Sequence, residues 1–443
     1  MKVVAIGGVA ASMSAVSKLK RLKPNTEIIV YEDGDVLSYG ACGLPYYISD
    51  EIQEADALVA RTKEEFASKG IEVRTFHRVE EVQDQNKRIR VKNLKTGEEF
   101  YDSYDKLIIG TGAKAIVPPW DGKDLENIFT LSNYEDGLAI KKALEDDSIQ
   151  NVTIIGAGFI GVEMIEAFHT RKKNIRVIQL DPQILPLFDG EMMDDVEQYL
   201  TSLGIDLHLS ESVVSFKGDK KVKQVITDQD TYDTDLVLIS IGVKPNTRFL
   251  KSSSIDLSAN EAVITNKQME TNVKDIYAAG DCSVIYHQLF EGNRYIPMGH
   301  NANKQGRIIA YHMAGESIDF KGVLGTTVIK ILDKEAGKTG LSEKEAKLLN
   351  KKYDTITITG NNHAGYYPNP EKIKVKIVYE EPSHKILGAQ LVGGKGAALR
   401  IDIFAVAIHT GLKVEDLIYL DLAYAPPFSG VWDVVQIAAQ QVK

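Results

Sequence analysis

Two segments of this chain share one design: a buried strand, a glycine-bearing turn, a helix and a second strand that runs into an acid. One starts at Lys2 and the other at Asn151. A strand that returns parallel to its predecessor needs a helical crossover, so a chain carrying this unit twice is constrained to an α/β architecture with two Rossmann-like dinucleotide-binding folds. In the second unit Val152-Thr153-Ile154-Ile155 is the strand and Gly156-Ala157-Gly158-Phe159-Ile160-Gly161 the turn. Val162 to Lys172 reads as the helix and Ile175 to Leu180 as the next strand, ending in Asp181. Asp181 lies 20 residues beyond Gly161, the spacing at which a carboxylate accepts the ribose hydroxyls while the pyrophosphate rests on the helix N-terminus.

The first unit is a degenerate version. Gly7 is present, but Val9 and Ser12 stand at the second and third glycine positions. Ala10 and Ala11 still allow a helix to approach a strand closely, and the strand Glu27 to Tyr31 runs into Glu32, again 20 residues past the third motif position. Two shorter signals accompany it: Leu107 to Ala113 carries a strand into Thr111-Gly112, and Ile276 to Ala279 delivers Gly280 and Asp281 to a loop. Spaced as they are, these point to one large cofactor. Beyond about Gly325 the pattern alternates, as in Lys372 to Tyr379, with helices expected at Ala397 to Thr410 and Val431 to Gln441, which reads as a separate α+β domain.

With 443 residues the chain is long enough for about three domains at ~150 residues each. A net charge of −10 argues against a nucleic-acid or anionic-membrane surface, so an anionic ligand needs a local basic pocket. No apolar run approaches the ~20 residues of a membrane span. The opening Met1 to Ala11 stretch reads as a first strand and turn rather than a signal peptide. Two cysteines, 240 residues apart, offer neither a disulfide framework nor a zinc pattern, so no metal is expected and a reducing, cytoplasmic setting fits.

Cys42, in Ser38-Tyr39-Gly40-Ala41-Cys42-Gly43-Leu44-Pro45-Tyr46, is the redox candidate, a glycine-flanked cysteine beside the first dinucleotide unit in a chain nearly devoid of others. Five residues on stands Tyr47, so no CxxxxC disulfide can store an electron pair. Cys42 must instead form a mixed disulfide with an external thiol or be oxidised to a sulfenic acid. Cys282 is expected only to pack. The helix end Lys18-Leu19-Lys20-Arg21 sets Lys18 and Arg21 three apart on one face, a candidate anchor for phosphates. Asp181 favours NADH over NADPH, while Lys172, Lys173 and Arg176 near the same edge leave NADPH open.

Together the two dinucleotide folds, the Thr111-Gly112-Ala113 turn, the Ala278-Ala279-Gly280-Asp281 loop and the single N-terminal cysteine resemble the FAD-dependent pyridine nucleotide disulfide oxidoreductases, single-cysteine branch. Within it, the Gly7-Gly8-Val9-Ala10-Ala11 turn, the surroundings of Cys42, Tyr366-Tyr367-Pro368 and Leu422 to Ser429 are most similar to coenzyme A disulfide reductases. The resemblance implies FAD on the first fold, held by Gly7, Ala10, Ala11, Glu32, Thr111, Gly112 and Asp281. It implies NADH or NADPH on the second, held by Gly156, Gly158, Phe159, Ile160, Gly161, Glu163 and Asp181. Coenzyme A disulfide is the expected substrate, with Ser14, Lys18, Arg21, Ser38, Lys69, His300 and Asn303 as candidate contacts. Tyr367 and Tyr424 are implied to serve the partner subunit's cysteine in a homodimer. The expected division is 1–115 with 250–324 for FAD, 116–249 for NAD(P)H and 325–443 for dimerisation. An NADH oxidase or peroxidase working through a Cys42 sulfenic acid and a polysulfide or persulfide reductase are the alternative activities. A flavin-bound redox sensor would not require Cys42 and a nicotinamide turn.

Overall fold

Both dinucleotide units are five-stranded parallel sheets of matching design. In the first, Lys2–Ile6 lies between Glu27–Tyr31 and Lys106–Ile109, with Glu72–Arg74 at one edge and Ile276–Ala278 at the other. In the second, Asn151–Ile155 lies between Asn174–Gln179 and Leu236–Ile239, with Asp206–Leu209 and Ile128–Phe129 at the edges. Their central strands are almost wholly buried, as continuous apolar runs covered on both faces must be. The computed structural model describes residues 1–316, 318 and 320–442.

Each sheet packs a crossover helix, Ala10–Leu22 in the first and Phe159–Thr170 in the second. The latter starts three residues before the expected Val162, because Gly158 takes the extended N-cap position and the turn feeds directly into the helix. The degenerate first motif has a tertiary explanation. In the second unit Gly161 faces Ser240 at the end of the neighbouring strand: a Cβ on Gly161 would lie 2.9 Å from Ser240 Oγ and 2.0 Å from the Gly156 carbonyl. In the first unit the pair is exchanged. Ser12 stands on the helix and Gly110 ends the strand, where a Cβ would lie 2.3 Å from Ser12 Oγ. Both hydroxyls donate to the end of the central strand, Ser12 to Ile6 O at 3.3 Å and Ser240 to Ile155 O at 3.1 Å. One glycine per contact suffices for helix and strand to close together.

The C-terminal region forms an antiparallel sheet in the order Thr327–Ile331, Lys334–Gly340, Ile386–Gly393, Lys372–Glu380, Tyr353–Asn361, with Ala397–Thr410 packed on it. The last helix is Val434–Ala439, shorter than the expected Val431 to Gln441 because Asp433 caps it, accepting from Val435 N. The chain divides into two compact units, Met1–Ile116 with Ser132–Lys141 and Gly242–Val323, and Val117–Leu131 with Lys142–Ile241 and Leu324–Lys443. The second dinucleotide fold and the C-terminal sheet thus belong to one unit, and 132–141, expected with the nicotinamide fold, belongs to the first.

A buried charge cluster ties the second unit together. Lys376, 1% exposed, reaches Asp189 at 3.0 Å and Glu343 at 2.9 Å and also donates to Glu191. Gln390 donates to Asp189 at 2.6 Å. These three carboxylates converge as metal ligands would, but the ammonium occupies their centre. The Lys376 hydrogen bond holds the Glu343 carboxyl down to about 2. Lys376→Met should therefore lower stability by about 3–5 kcal/mol, because it strands the buried Asp189 carboxylate without its cation. Urea denaturation at neutral pH measures it, and a loss below about 1 kcal/mol would reduce the cluster to a solvated one. Glu343, depressed in the folded state, contributes stability that is present above its unfolded pKa of about 4.3 and is lost as pH falls toward 2.

Candidate active site

The first turn is shaped for a dinucleotide. Gly7 adopts φ +95, and a Cβ there would meet the Gly110 carbonyl oxygen at 2.3 Å. Glu32 folds back over the turn, accepting from Gly8 N at 2.5 Å and Gly34 N at 2.8 Å, and burial pushes its carboxyl up to about 7. Asp281 is half-buried, and desolvation raises its carboxyl to about 6. Gly280 beside it (φ +79) approaches Ala11 and Ala302, where a Cβ would lie 3.2 and 3.3 Å from their Cβ atoms. Thr111 Oγ1 donates to Asn246 O at 2.8 Å, and Asn246 N to Gly112 O at 3.0 Å, which pins the turn after Lys106–Ile109. Gln305, 2% exposed, accepts from Gly280 N at 2.9 Å while its Nε2 has no protein partner. A buried amide left with an unmet donor beside Gly280 and Asp281 fits a polar cofactor better than an apolar filling. Sequence reading missed Gln305, since nothing local distinguishes it from any polar residue of a helix. Ala10, Gly7, Glu32 and Asp281 thus meet at one end of the first sheet, a set that fits FAD.

The Cys42 loop is tied to that turn. Ser38, at φ +52, donates its N–H to Gly8 O at 2.8 Å and accepts at its carbonyl from Ala60 N at 2.8 Å, and Gly40 N donates to Leu58 O at 2.9 Å. Cys42 lies in the single 3₁₀ turn Ala41–Gly43 and is exposed. Gly43 lies close to Leu58, where an added Cβ would fall 2.4 Å from the Leu58 Cδ2 methyl and displace it. Cys282 is wholly buried, its Sγ turned to the carbonyls of Ile109 and Ala279 at 3.4 Å, and burial raises its pKa, so it packs as expected.

Of the predicted substrate contacts, the helices Ala10–Leu22 and Gly299–Met313 bring several together. They pack closely because Gly306 lies against the backbone of Ala11, where a Cβ would sit 2.2 Å from the Ala11 carbonyl oxygen. Ser14 Oγ donates to Asn303 Oδ1 at 2.9 Å, and Lys18 Nζ sits 4.4 Å from the Tyr311 ring centroid. His300 lies in the first turn of the second helix, its pKa lowered by burial and by Lys304. Arg21 and Lys69 are exposed.

In the second unit, Gly156 (φ +95) and Gly158 form the turn, and Phe159 and Ile160 open the helix, both half-buried. Glu163, one turn along, is pushed up to about 7 by burial and then by Glu166. Glu166 itself is ion-paired to Lys330. Asp181 is exposed, and it accepts from Gln179 Nε2 at 2.8 Å. Arg176 and Lys173 are engaged elsewhere, Arg176 with Asp206 at 2.8 Å and Lys173 with Ile149 O at 2.7 Å. Within the C-terminal domain, Tyr424 OH lies 3.0 Å from Tyr366 OH, not from Tyr367. Tyr367 instead sets its ring edge-on to His363, at 5.3 Å between centroids. Tyr366, 75% exposed, was missed because sequence alone cannot choose between adjacent tyrosines; its pKa is raised by the Tyr424 hydroxyl.

Paired dinucleotide folds, a flavin-type turn and a lone exposed cysteine on a loop anchored to it define a flavin-dependent oxidoreductase. The chain belongs to the pyridine nucleotide-disulphide oxidoreductase family: the family model matches residues 1–306, and that of the family's dimerisation domain matches 326–434. It is 38% identical over its whole length to 99% of the NAD(P)H sulfur oxidoreductase (CoA-dependent) of Pyrococcus furiosus. It is 31% identical, over the whole of both chains, to a coenzyme A disulfide reductase of Staphylococcus aureus. Among solved structures, reduced CoADR-RHD of Bacillus anthracis superposes with a TM-score of 0.96 at 34% identity, covering 99% of this chain and 79% of that one. The chain is therefore an NAD(P)H-dependent flavoprotein with FAD as its cofactor. Among the described residues no helix is long and apolar enough to cross a membrane.

Proposed function

We propose that the protein reduces a small-molecule disulfide, coenzyme A disulfide, through a mixed disulfide on Cys42. The observation that carries this is an exposed Cys42 on a loop hydrogen-bonded to the first dinucleotide turn, with the other cysteine sealed in the core. FAD, when bound, supplies the two-electron relay between NAD(P)H and sulfur. The Cys42 thiolate attacks one sulfur of the disulfide: the Cys42–sulfur bond forms, the substrate S–S bond breaks and one thiolate leaves, to be protonated. Two electrons originating from NAD(P)H then cleave the mixed disulfide, releasing the second thiol with one proton and restoring the Cys42 thiolate. Overall one NAD(P)H, one proton and one disulfide become NAD(P)+ and two thiols.

Gly7, Ala10, Ala11, Glu32, Thr111, Gly112 and Asp281 hold FAD in this reading, and Gly156, Gly158, Phe159, Ile160, Gly161 and Glu163 receive the nicotinamide dinucleotide. Ser14 and Asn303, hydrogen-bonded across two packed helices that also carry Lys18 and His300, offer polar contacts for a phosphate-bearing thiol in this reading, with Ser38, Arg21 and Lys69 as outer contacts. Tyr424 and Tyr367 donate protons to the departing thiolate across a homodimer, and the Tyr366 hydroxyl assists Tyr424. Support for the dimer comes from the family's dimerisation domain and from exposed Leu399, Val406, Tyr419, Phe428 and Val431 in that region. An exposed thiol that cycles with small thiols belongs in a reducing compartment such as the cytoplasm. Polysulfide or persulfide is a second reading, favoured by the sulfur oxidoreductase named above, and oxygen or peroxide a third.

Intact mass of the oxidised protein, denatured without reductant, tests the proposal together with anaerobic NAD(P)H consumption on coenzyme A disulfide. The expected result is one coenzyme A adduct on Cys42 with anaerobic turnover. An oxygen increment instead, with consumption only when oxygen or peroxide is supplied, would assign the chain to oxidase or peroxidase chemistry.

A further inference from the structure

We infer that Gln179, rather than Asp181, is the residue of this chain that faces the ribose 2′ position of the nicotinamide dinucleotide, and that its neutral amide admits NADPH as well as NADH. The inference rests on the second turn being the nicotinamide dinucleotide site.

Register carries it. Gly7 N donates to Tyr31 O at 2.8 Å, and Gly156 N to Ile178 O at 2.9 Å, so Tyr31 and Ile178 are counterparts. The next residues are Glu32 and Gln179, and their side chains do the same thing. Glu32 Oε2 accepts from Gly8 N at 2.5 Å, and Gln179 Oε1 from Ala157 N at 2.7 Å. Counting forward from the turn selects a different residue only because the second crossover is two residues shorter than the first. Glu32 is 25 residues beyond Gly7, whereas Gln179 is 23 and Asp181 is 25 beyond Gly156.

The amide cannot be reversed without loss. Its oxygen faces the Ala157 N–H and its nitrogen faces the Asp181 carboxylate at 2.8 Å, so both neighbours select the same orientation. A carboxylate in this place accepts two ribose hydroxyls and repels a 2′-phosphate. The Gln179 amide offers one remaining acceptor site and one remaining N–H, and no charge. Asp181 spends one oxygen on Gln179 and is exposed, where water and salt screen it. With Arg176 and Lys173 engaged elsewhere, neither adds a phosphate anchor that would make the site exclusive for NADPH.

The test compares kcat/KM for NADH and NADPH in the FAD-loaded wild type, Gln179→Glu and Asp181→Asn, with ferricyanide as acceptor so that the sulfur chemistry of Cys42 is not required. Measurement at about pH 8.5 keeps an introduced glutamate ionised, given that burial raises Glu32 in the matching place to about 7. The wild type should use both nucleotides within about tenfold of each other. Gln179→Glu should shift the ratio toward NADH by at least about tenfold, and Asp181→Asn should shift it by less than about threefold. Because the ratio is taken within each variant, partial loss of folded enzyme cancels. An Asp181→Asn shift of about tenfold with Gln179→Glu unmoved would overturn the inference, as would wild-type discrimination beyond about a hundredfold. If neither nucleotide supported ferricyanide reduction by the wild type, the underlying nicotinamide reading would be the one to fail.

Discussion

Cys42→Ser is expected to lower disulfide turnover by at least about three orders of magnitude while the protein keeps its flavin and its ability to pass electrons from NAD(P)H to ferricyanide. The size of the effect follows from the absence of a substitute. A serine hydroxyl is not ionised near neutral pH and does not attack a disulfide sulfur. Cys282 cannot take over, being wholly buried with its sulfur against two backbone carbonyls. Tyr47 holds the position a second redox cysteine would need. Cys42 is exposed on its turn, so the exchange of sulfur for oxygen leaves the loop's backbone bonds to Gly8, Leu58 and Ala60 intact. The flavin's visible absorbance and the ferricyanide rate separate loss of the nucleophile from loss of the fold. Undiminished turnover on coenzyme A disulfide would remove Cys42 as the nucleophile.

Gly7→Ala should abolish FAD retention and destabilise the first unit by about 3 kcal/mol or more. Two costs coincide there. The backbone sits at φ +95, which an L side chain rarely adopts, and the new methyl would be driven to 2.3 Å from the Gly110 carbonyl oxygen and 2.8 Å from its carbon. Relief requires the strands Lys2–Ile6 and Lys106–Ile109 to separate at the end where Glu32 and the Ser38 N–H grip the turn. Gly97→Ala is the control. Its φ of +79 is also left-handed, but nothing lies within 4 Å of the added Cβ, so it should cost about 1 kcal/mol and keep FAD bound. Flavin absorbance after gel filtration, with urea titration of both variants, measures the difference; equal behaviour of the two would show that the close approach at Gly7 does not shape the site.

Much of this was legible in the sequence because it is written in local pattern. The strands Glu27–Tyr31 and Lys372–Glu380 and the helix Ala397–Thr410, closed by Gly411 at φ +73, fall where apolar periodicity and a terminal glycine set them. The two turns and the isolation of Cys42 are likewise matters of residue type and spacing along a short stretch, where chain geometry leaves few choices.

What the tertiary structure decided is pairing between distant residues. Ser12 excuses a missing glycine only because Gly110 faces it, as Ser240 faces Gly161 in the other unit. Tyr424 chose Tyr366 over its neighbour Tyr367, 58 residues away along the chain. Gln179 took the place a count along the chain assigns to Asp181, since residues tallied through a helix do not record where the next strand comes into register. Sequence by itself determined the two dinucleotide folds, the C-terminal domain and the isolation of Cys42 from any second cysteine nearby, because periodicity, turn chemistry and spacing are local. The contacts that tune the cofactor sites were settled by close packing across the sheets, where a single methyl or a two-residue shift changes which side chain meets which partner.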